Sequence, residues 1–126
     1  MLSGWLIVEF LNLKLYFELK ANLTAFSVYE RYGIKIFLPT NFYFLPNKKL
    51  SKEEILFHSI YIINKEKDYR YLTYLALFYI KFKDDFSKIK NPVLKKIDNI
   101  IKGDTIKGYP TLEEIKEKGE LYDIRI

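Results

Sequence analysis

Residues 71–80 read YLTYLALFYI, ten consecutive positions that carry no charge and hold four aromatic rings. Arg70 precedes this run, and Lys81 and Lys83 follow it. An apolar stretch of this length with basic ends is typical of a buried helix. The sequence therefore predicts a helix from about residue 69 to residue 82.

The composition indicates a folded protein with many aromatic side chains. The chain has 126 residues, of which 49% are hydrophobic and 29% charged, and its formal net charge is +5. This length suits one domain, which would bury roughly two-thirds of the unfolded surface. The chain has no cysteine, which excludes a disulfide framework, a thiolate nucleophile and zinc sites of the usual Cys type. We predict a single domain over residues 1–126 and a cytoplasmic location.

The N-terminal apolar run at residues 2–13 does not predict a membrane segment. It is shorter than the ~20 residues that span a bilayer, and it contains Glu9 and lacks the cationic start of a signal peptide. Its abrupt beginning suggests a late portion of a longer ancestral protein. The absence of glutamine and the abundance of Lys, Glu and Ile are typical of thermophile proteins, although low-GC codon bias would give the same composition.

The first 46 residues have a strand-rich pattern. Apolar residues alternate at Leu11, Leu13, Leu15, Phe17 and Leu19. This alternation predicts a long strand with one buried face, although a helix stays open because every fourth residue shares a helical face. Residues 34–38 and 42–45 are further predicted strands, and residues 46 and 47 a turn. Residues 5–10 are either the beginning of the long strand or a separate, more buried strand. Thr24 is expected to cap a short helix that ends at Tyr32, before Gly33.

Residues 51–124 have helical signals with identifiable ends. Ser51 with Glu54, and Thr111 with Glu114, have the spacing of a capping box. A cap at residue 91, a proline at residue 92 and a glycine at residue 103 bound a further amphipathic helix. The predicted fold class is therefore α+β, with an N-terminal antiparallel sheet packed against about four C-terminal helices.

Candidate catalytic residues are few. His58 is the one imidazole, and Glu54 precedes it by one helical turn, so the pair suits proton transfer or half of a metal site. A catalytic zinc usually needs three protein ligands. Asp84 and Asp85 are adjacent, and no spacing identifies the converging acids that metal-dependent phosphoryl transfer needs. The sequence favours a non-enzymatic protein without metal or cofactor, and a metal-dependent nuclease or another enzyme stays an alternative.

Two kinds of surface could bind a partner. Lys95, Lys96 and Lys102 form a stripe opposite the apolar face of the residue 92–102 helix, which suits phosphate contacts. Phe37 and Tyr43 are predicted to be exposed aromatic residues on strands, which suits a protein contact. The edge of the residue 5–10 strand could also pair between chains. We expect a protein partner or a homo-oligomer and no membrane, with nucleic-acid binding through the lysine stripe as the alternative.

Four segments carry a resemblance to a known family. They are YGIKIFLPTNFYF (32–44), LSKEEILFHSIYII (50–63), DYRYLTYLALFYIKFK (68–83) and YPTLEEIKEKGELYDI (109–124). Residues 32–124 thus resemble the C-terminal region of archaeal winged-helix regulators similar to the AbiEi antitoxins of type IV toxin–antitoxin systems. In that family the N-terminal winged helix binds operator DNA, and the C-terminal domain supports repression and antitoxin action.

One departure from the family limits what the resemblance implies. No helix-turn-helix pattern precedes residue 32, so the DNA-reading residues of the family have no counterpart in this sequence. The resemblance implies a regulatory domain that contacts another protein, without the DNA-reading part.

Overall fold

The computed structural model describes residues 6–10, 22–38, 41–45, 49–66 and 68–126. The chain divides into two compact units, residues 1–59 and residues 60–126. The strand predicted over residues 11–19 and the turn predicted at residues 46 and 47 lie outside the described residues. The single domain predicted over residues 1–126 stays a prediction.

The first unit contains a small antiparallel sheet. Its strands are β1 (Leu6–Phe10), β2 (Asn22–Leu23) and β3 (Asn41–Leu45), in the order β1-β3-β2. The predicted strand at residues 42–45 is thus confirmed. Phe42, Tyr43 and Phe44 are all 2% exposed or less, and successive side chains of a strand point to opposite faces. Both faces of β3 are therefore covered.

A 3₁₀ helix, Ala25–Tyr32, follows β2 at the position predicted for a short helix. Gly33 ends it with a φ of 88°, a left-handed conformation that suits glycine. The Thr24 hydroxyl makes no capping hydrogen bond, contrary to the prediction, because it contacts His58 instead. The buried residues of this helix are Ala25, Phe26, Val28 and Tyr29.

The strand predicted at residues 34–38 is wrong. This segment has no regular secondary structure, and only Ile34 within it is fully buried. Alternation fixes only the direction of side chains, and a strand also needs a partner strand that hydrogen-bonds to it. The residues around Ile34 are instead held by a hydrogen bond from its amide to the Tyr29 carbonyl, at 3.0 Å.

The predicted α+β fold class is also wrong. The described residues are mostly helical, and strand pairing is confined to segments of two to five residues. Three of the four α-helices begin in the second unit and not in the unit that contains the sheet. The prediction gave too much weight to the alternation at residues 34–38, which form no strand, and too little to the helices that make up most of the described residues.

Four α-helices follow the sheet. They are α1 (Lys52–Glu66), α2 (Tyr69–Lys81), α3 (Pro92–Ile101) and α4 (Leu112–Glu120), with a second 3₁₀ helix, Lys83–Phe86, after α2. Both predicted capping boxes are confirmed, at Ser51 with Glu54 and at Thr111 with Glu114. Asn91 caps α3 by accepting a hydrogen bond from the Val93 amide at 2.9 Å. None of the helices in the described segments combines the length and the apolar character needed to cross a membrane.

Helix α2 is the core of the second unit, as the uncharged run at residues 71–80 predicts. Leu75, Ala76, Leu77 and Phe78 have no exposed surface. Four consecutive residues cover a full helical turn, so this part of α2 is enclosed on every side. The elements that contact it are the second 3₁₀ helix, α3 and α4.

A polar contact joins α2 to α3 beside this core. The Tyr79 hydroxyl donates to the Asp98 carboxylate, at 3.0 Å and 3.1 Å from its two oxygens. The Lys83 ammonium lies 3.4 Å from the same carboxylate. Burial, with a smaller effect of Asp98, raises the pKa of Tyr79 to about 12. At neutral pH the Tyr79 hydroxyl therefore keeps its proton, and the Lys83 ammonium balances the charge of the Asp98 carboxylate that accepts from it.

We predict that Tyr79→Phe destabilises the protein at neutral pH. A hydrogen bond to a charged group contributes about 1.5–3 kcal/mol, and phenylalanine keeps the ring that stacks on Phe86. Chemical denaturation followed by circular dichroism measures this loss. An unchanged free energy of unfolding at neutral pH would contradict it.

The same variant has a predicted alkaline signature. Unfolded tyrosine ionises near pH 10, whereas Tyr79 in the folded protein ionises at about 12, so the wild-type protein loses stability as the pH rises through this window. Tyr79→Phe removes one group from this titration, and its stability should fall less steeply between pH 10 and 12. Parallel slopes for the two proteins would show that Tyr79 does not contribute.

Candidate functional site

The proposed pair of His58 and Glu54 does not form an open acid–base site. His58 is 2% exposed, its Nδ1 lies 2.5 Å from the Thr24 hydroxyl oxygen, and its ring stacks on Phe44 with the ring centroids 4.7 Å apart. The Glu54 carboxylate accepts from the amide and the hydroxyl of Ser51, at 3.1 Å and 3.2 Å. His58 therefore lies in the core of the first unit, and Glu54 caps α1.

A second buried polar contact adjoins His58 in the sequence. The Tyr29 hydroxyl donates to Ser59 Oγ at 2.9 Å, and Ser59 Oγ donates to the Ile55 carbonyl at 2.8 Å. Tyr29 and Ser59 have no exposed surface, and burial raises the pKa of Tyr29 well above its usual value. This contact was not predicted from the sequence, in which its one signal is a serine within the apolar face of α1.

The acidic candidates do not converge. Asp84 and Asp85 are both exposed on the second 3₁₀ helix. Within the described part of the chain, no three His, Cys, Asp or Glu side chains lie close enough together to hold a metal ion. The described residues thus offer no metal centre for phosphoryl transfer.

The residues predicted to lie on the surface differ in their exposure. Tyr43 is 1% exposed, so its predicted exposure is wrong: its strand is central and covered on both faces. Phe37 is 89% exposed, with the Lys35 ammonium 5.6 Å from its ring centroid, although it does not lie on a strand. Lys95, Lys96 and Lys102 are all exposed.

The structure contains a cleft that the sequence analysis did not identify. It lies between α2 and α4 in the second unit and has a volume of about 480 Å³. We call it the α2–α4 cleft. Its lining consists of Arg70, Thr73, Tyr74, Glu114, Glu117, Lys118 and Leu121. A cavity of this size is within the range of ligand-binding pockets.

The two cations of the α2–α4 cleft already have partners. Both oxygens of Asp68 accept hydrogen bonds from the Arg70 guanidinium, at 3.3 Å and 3.0 Å, and this contact lowers the pKa of the Asp68 carboxyl. The Lys118 ammonium lies 5.7 Å from the centroid of the Tyr74 ring. Both positive charges are therefore partly satisfied before any ligand arrives.

The two carboxylates of the cleft differ. Glu114 accepts a hydrogen bond from the Thr111 amide at 2.9 Å, as part of the capping box. Glu117 is exposed one turn along the same helix, without an ion-pair partner among the described residues. Leu121 adds an apolar surface, since its side chain is 70% exposed. The cleft thus combines an available negative charge with aromatic and aliphatic contacts.

Gly119 sets how closely α4 approaches α2. A Cβ atom at this position would lie 3.3 Å from Leu77 Cδ2 and 2.9 Å from the Ile124 carbonyl oxygen. The Gly119 carbonyl also accepts from the amides of Tyr122 and Ile124, both at 3.0 Å. The absence of a side chain therefore lets the last residues fold back over α4 while α4 packs on α2.

Most charged groups of the α2–α4 cleft are engaged in local contacts. Glu114 belongs to the capping box, Arg70 pairs with Asp68 and Lys118 contacts the Tyr74 ring, which leaves Glu117 as the one charged residue of the lining without such a contact among the described residues. Comparison with protein-family models, with curated proteins and with solved structures finds no match for this chain.

We predict that Thr24→Val destabilises the protein by about 1–3 kcal/mol, because a buried polar atom of His58 loses this partner. Valine keeps the shape of threonine but has no hydroxyl. Thr24→Ser, which keeps the hydroxyl, is the matched control and should lose less. Denaturant unfolding of the two variants measures the difference, and a greater loss for the serine variant would assign the effect to packing.

We predict a net loss of stability for Gly119→Ala as well. Alanine gains about 1 kcal/mol in helix propensity, whereas overpacking costs about 1–3 kcal/mol, and the closest atom is a backbone oxygen that cannot rotate away. Thermal unfolding measures the result, with Lys116→Ala on the exposed face of α4 as the control. A stabilised Gly119→Ala protein would mean that the close approach is not tight.

Proposed function

We propose that this protein is a non-enzymatic regulatory module that binds a segment of another protein in the α2–α4 cleft. The cleft itself is the observation that carries this proposal. Its mixture of one available carboxylate, a tyrosine ring and an exposed leucine suits a peptide with a basic and an apolar side chain.

The charge of the whole chain bears on the kind of partner. A second copy of the chain would carry the same +5 charge and be repelled at long range. A different protein, with a basic side chain at the contact and an acidic surface elsewhere, meets no such repulsion. We therefore place a separate protein partner ahead of a homo-oligomer.

Phe37 is a second proposed contact, in the first unit. Aromatic side chains are enriched among the residues that dominate binding energy at protein interfaces. At 89% exposure this ring retains nearly all of its apolar surface for a partner. The basic side chain of Lys35 near the ring would favour an acidic residue of the partner beside the aromatic contact.

The resemblance to AbiEi-type antitoxins supports the same class of function. In that family the C-terminal domain supports repression and antitoxin action, and residues 32–124 resemble that region. The archaeal and thermophilic origin, the cytoplasmic location and the regulatory role are all parts of this proposal.

A peptide-display experiment tests the cleft. A random peptide library is selected on the purified wild-type chain, and enriched peptides are measured by fluorescence anisotropy. We expect Glu117→Lys to weaken them by about tenfold or more, which corresponds to ~1.4 kcal/mol. Glu113→Lys is the matched control, because it makes the same charge change at an exposed position of α4 outside the lining.

Three results are informative. Enriched peptides that lose affinity with Glu117→Lys and with Leu121→Ala, but not with Glu113→Lys, support the cleft. Equal losses with Glu117→Lys and Glu113→Lys would reduce the effect to overall charge and contradict the proposal. Peptides that depend on Phe37→Ala alone would move the site to the first unit.

A further inference from the structure

Helix α3 has one face in the core and one covered by lysines. Val93, Leu94, Ile97 and Ile100 are buried. Lys95, Lys96 and Lys102 are exposed on the remainder of the helix and its C-terminal cap. The apolar contacts therefore orient the helix so that these ammonium groups face solvent.

The segments that flank α3 extend this positive surface. The lysines between residues 88 and 107 are all exposed: Lys88, Lys90, Lys95, Lys96, Lys102 and Lys107. The same span contains two acids, Asp98 and Asp104. Asp98 is compensated by Lys83, which lies outside the span, and also accepts from the Tyr79 hydroxyl. Asp104 is therefore the one remaining acid of the span, against six lysines.

The lysines stand on a firmly held helix. Asn91 caps its start, and the amide of Lys102 donates to the Asp98 carbonyl at 3.1 Å at its end. Gly103 then takes a φ of 116°, and the Asp104 amide donates to the Asn99 carbonyl at 3.0 Å. Since each residue rises 1.5 Å, Lys95 and Lys102 are separated by roughly 10 Å along the axis. This is about three nucleotide steps of 3.4 Å.

An aromatic ring adjoins these lysines. The Lys96 ammonium lies 5.5 Å from the centroid of the Tyr109 ring, which is partly exposed. Proteins that bind nucleic acid without sequence preference combine basic grooves with rings of this kind. The three arginines of the chain, Arg31, Arg70 and Arg125, all lie outside the span, so it lacks the planar guanidinium groups that make rigid bidentate contacts.

We propose that the outward face of α3 and its flanks bind the phosphate backbone of nucleic acid without reading its sequence. Lysines act as point charges on phosphates, and the lack of arginine among them predicts little discrimination between bases. This surface is separate in its residues from the lining of the α2–α4 cleft. The two proposals can therefore fail independently.

The test is an anisotropy titration of labelled single-stranded DNA and of its duplex at several salt concentrations. The wild-type chain is compared with the triple variant Lys95→Ala, Lys96→Ala and Lys102→Ala. Removing three phosphate contacts lowers the slope of log affinity against log salt by about 2.7 for duplex and about 2.1 for single strands. Between about 50 and 200 mM salt, the wild type should thus lose ~40-fold more duplex affinity than the variant, and ~20-fold more single-strand affinity.

A matched triple variant controls for net charge. Lys49→Ala, Lys65→Ala and Lys116→Ala remove the same charge from exposed positions outside the span. The control should keep the wild-type salt slope. Circular dichroism and thermal unfolding verify that both variants are folded, which the exposure of all six positions leads us to expect.

Several results would overturn the proposal. Equal loss of slope in the two triple variants would mean that overall charge, and not this face, drives binding. Absence of nucleic-acid binding at low salt would reject the surface outright. Sedimentation with phosphatidylserine vesicles is a parallel arm, and vesicle binding without nucleic-acid binding would assign the lysines to an anionic membrane surface instead.

Discussion

Leu75, Ala76, Leu77 and Phe78 complete a turn of α2, and none of them reaches solvent. A helix enclosed in this way needs neighbours on all sides, because each exposed CH₂ group would forfeit about 0.8 kcal/mol of burial. The second 3₁₀ helix, α3 and α4 are among the elements that pack against it. The apolar sides of these elements pack on α2. Their polar sides therefore face solvent, and these include the lysines of α3 and the acids of α4.

The cores of the two units differ in the number of polar groups that they bury. In the second unit the core around α2 is almost wholly apolar, and its main polar contact, at Asp98, lies near the surface. The first unit buries Thr24, His58, Ser59 and the Tyr29 hydroxyl, each with a hydrogen-bond partner. A buried polar group destabilises the fold unless it has a hydrogen-bond partner. The stability of this core therefore depends on hydrogen-bond geometry as well as on the packing of side chains.

Local signals were sufficient for the helices but not for the sheet or the cleft. Ser51, Asn91 and Thr111 cap their helices because a cap needs only residues within one turn. The strand predicted at residues 34–38 was wrong because strand formation depends on a partner that is distant in the sequence, which local alternation does not reveal. The cleft depends on the packing of α4 against α2, in which Gly119 lies close to Leu77. These two residues are 42 positions apart in the sequence, and no local pattern predicts that they are neighbours.

The burial of His58 has a practical consequence. It is the one histidine of the chain, so the NMR spectrum contains a single set of imidazole signals. The stacked ring of Phe44, 4.7 Å away between centroids, should displace those lines from their random-coil positions through its ring current. In the purified protein, the signals of one side chain thus become a spectroscopic reporter of the first unit alone.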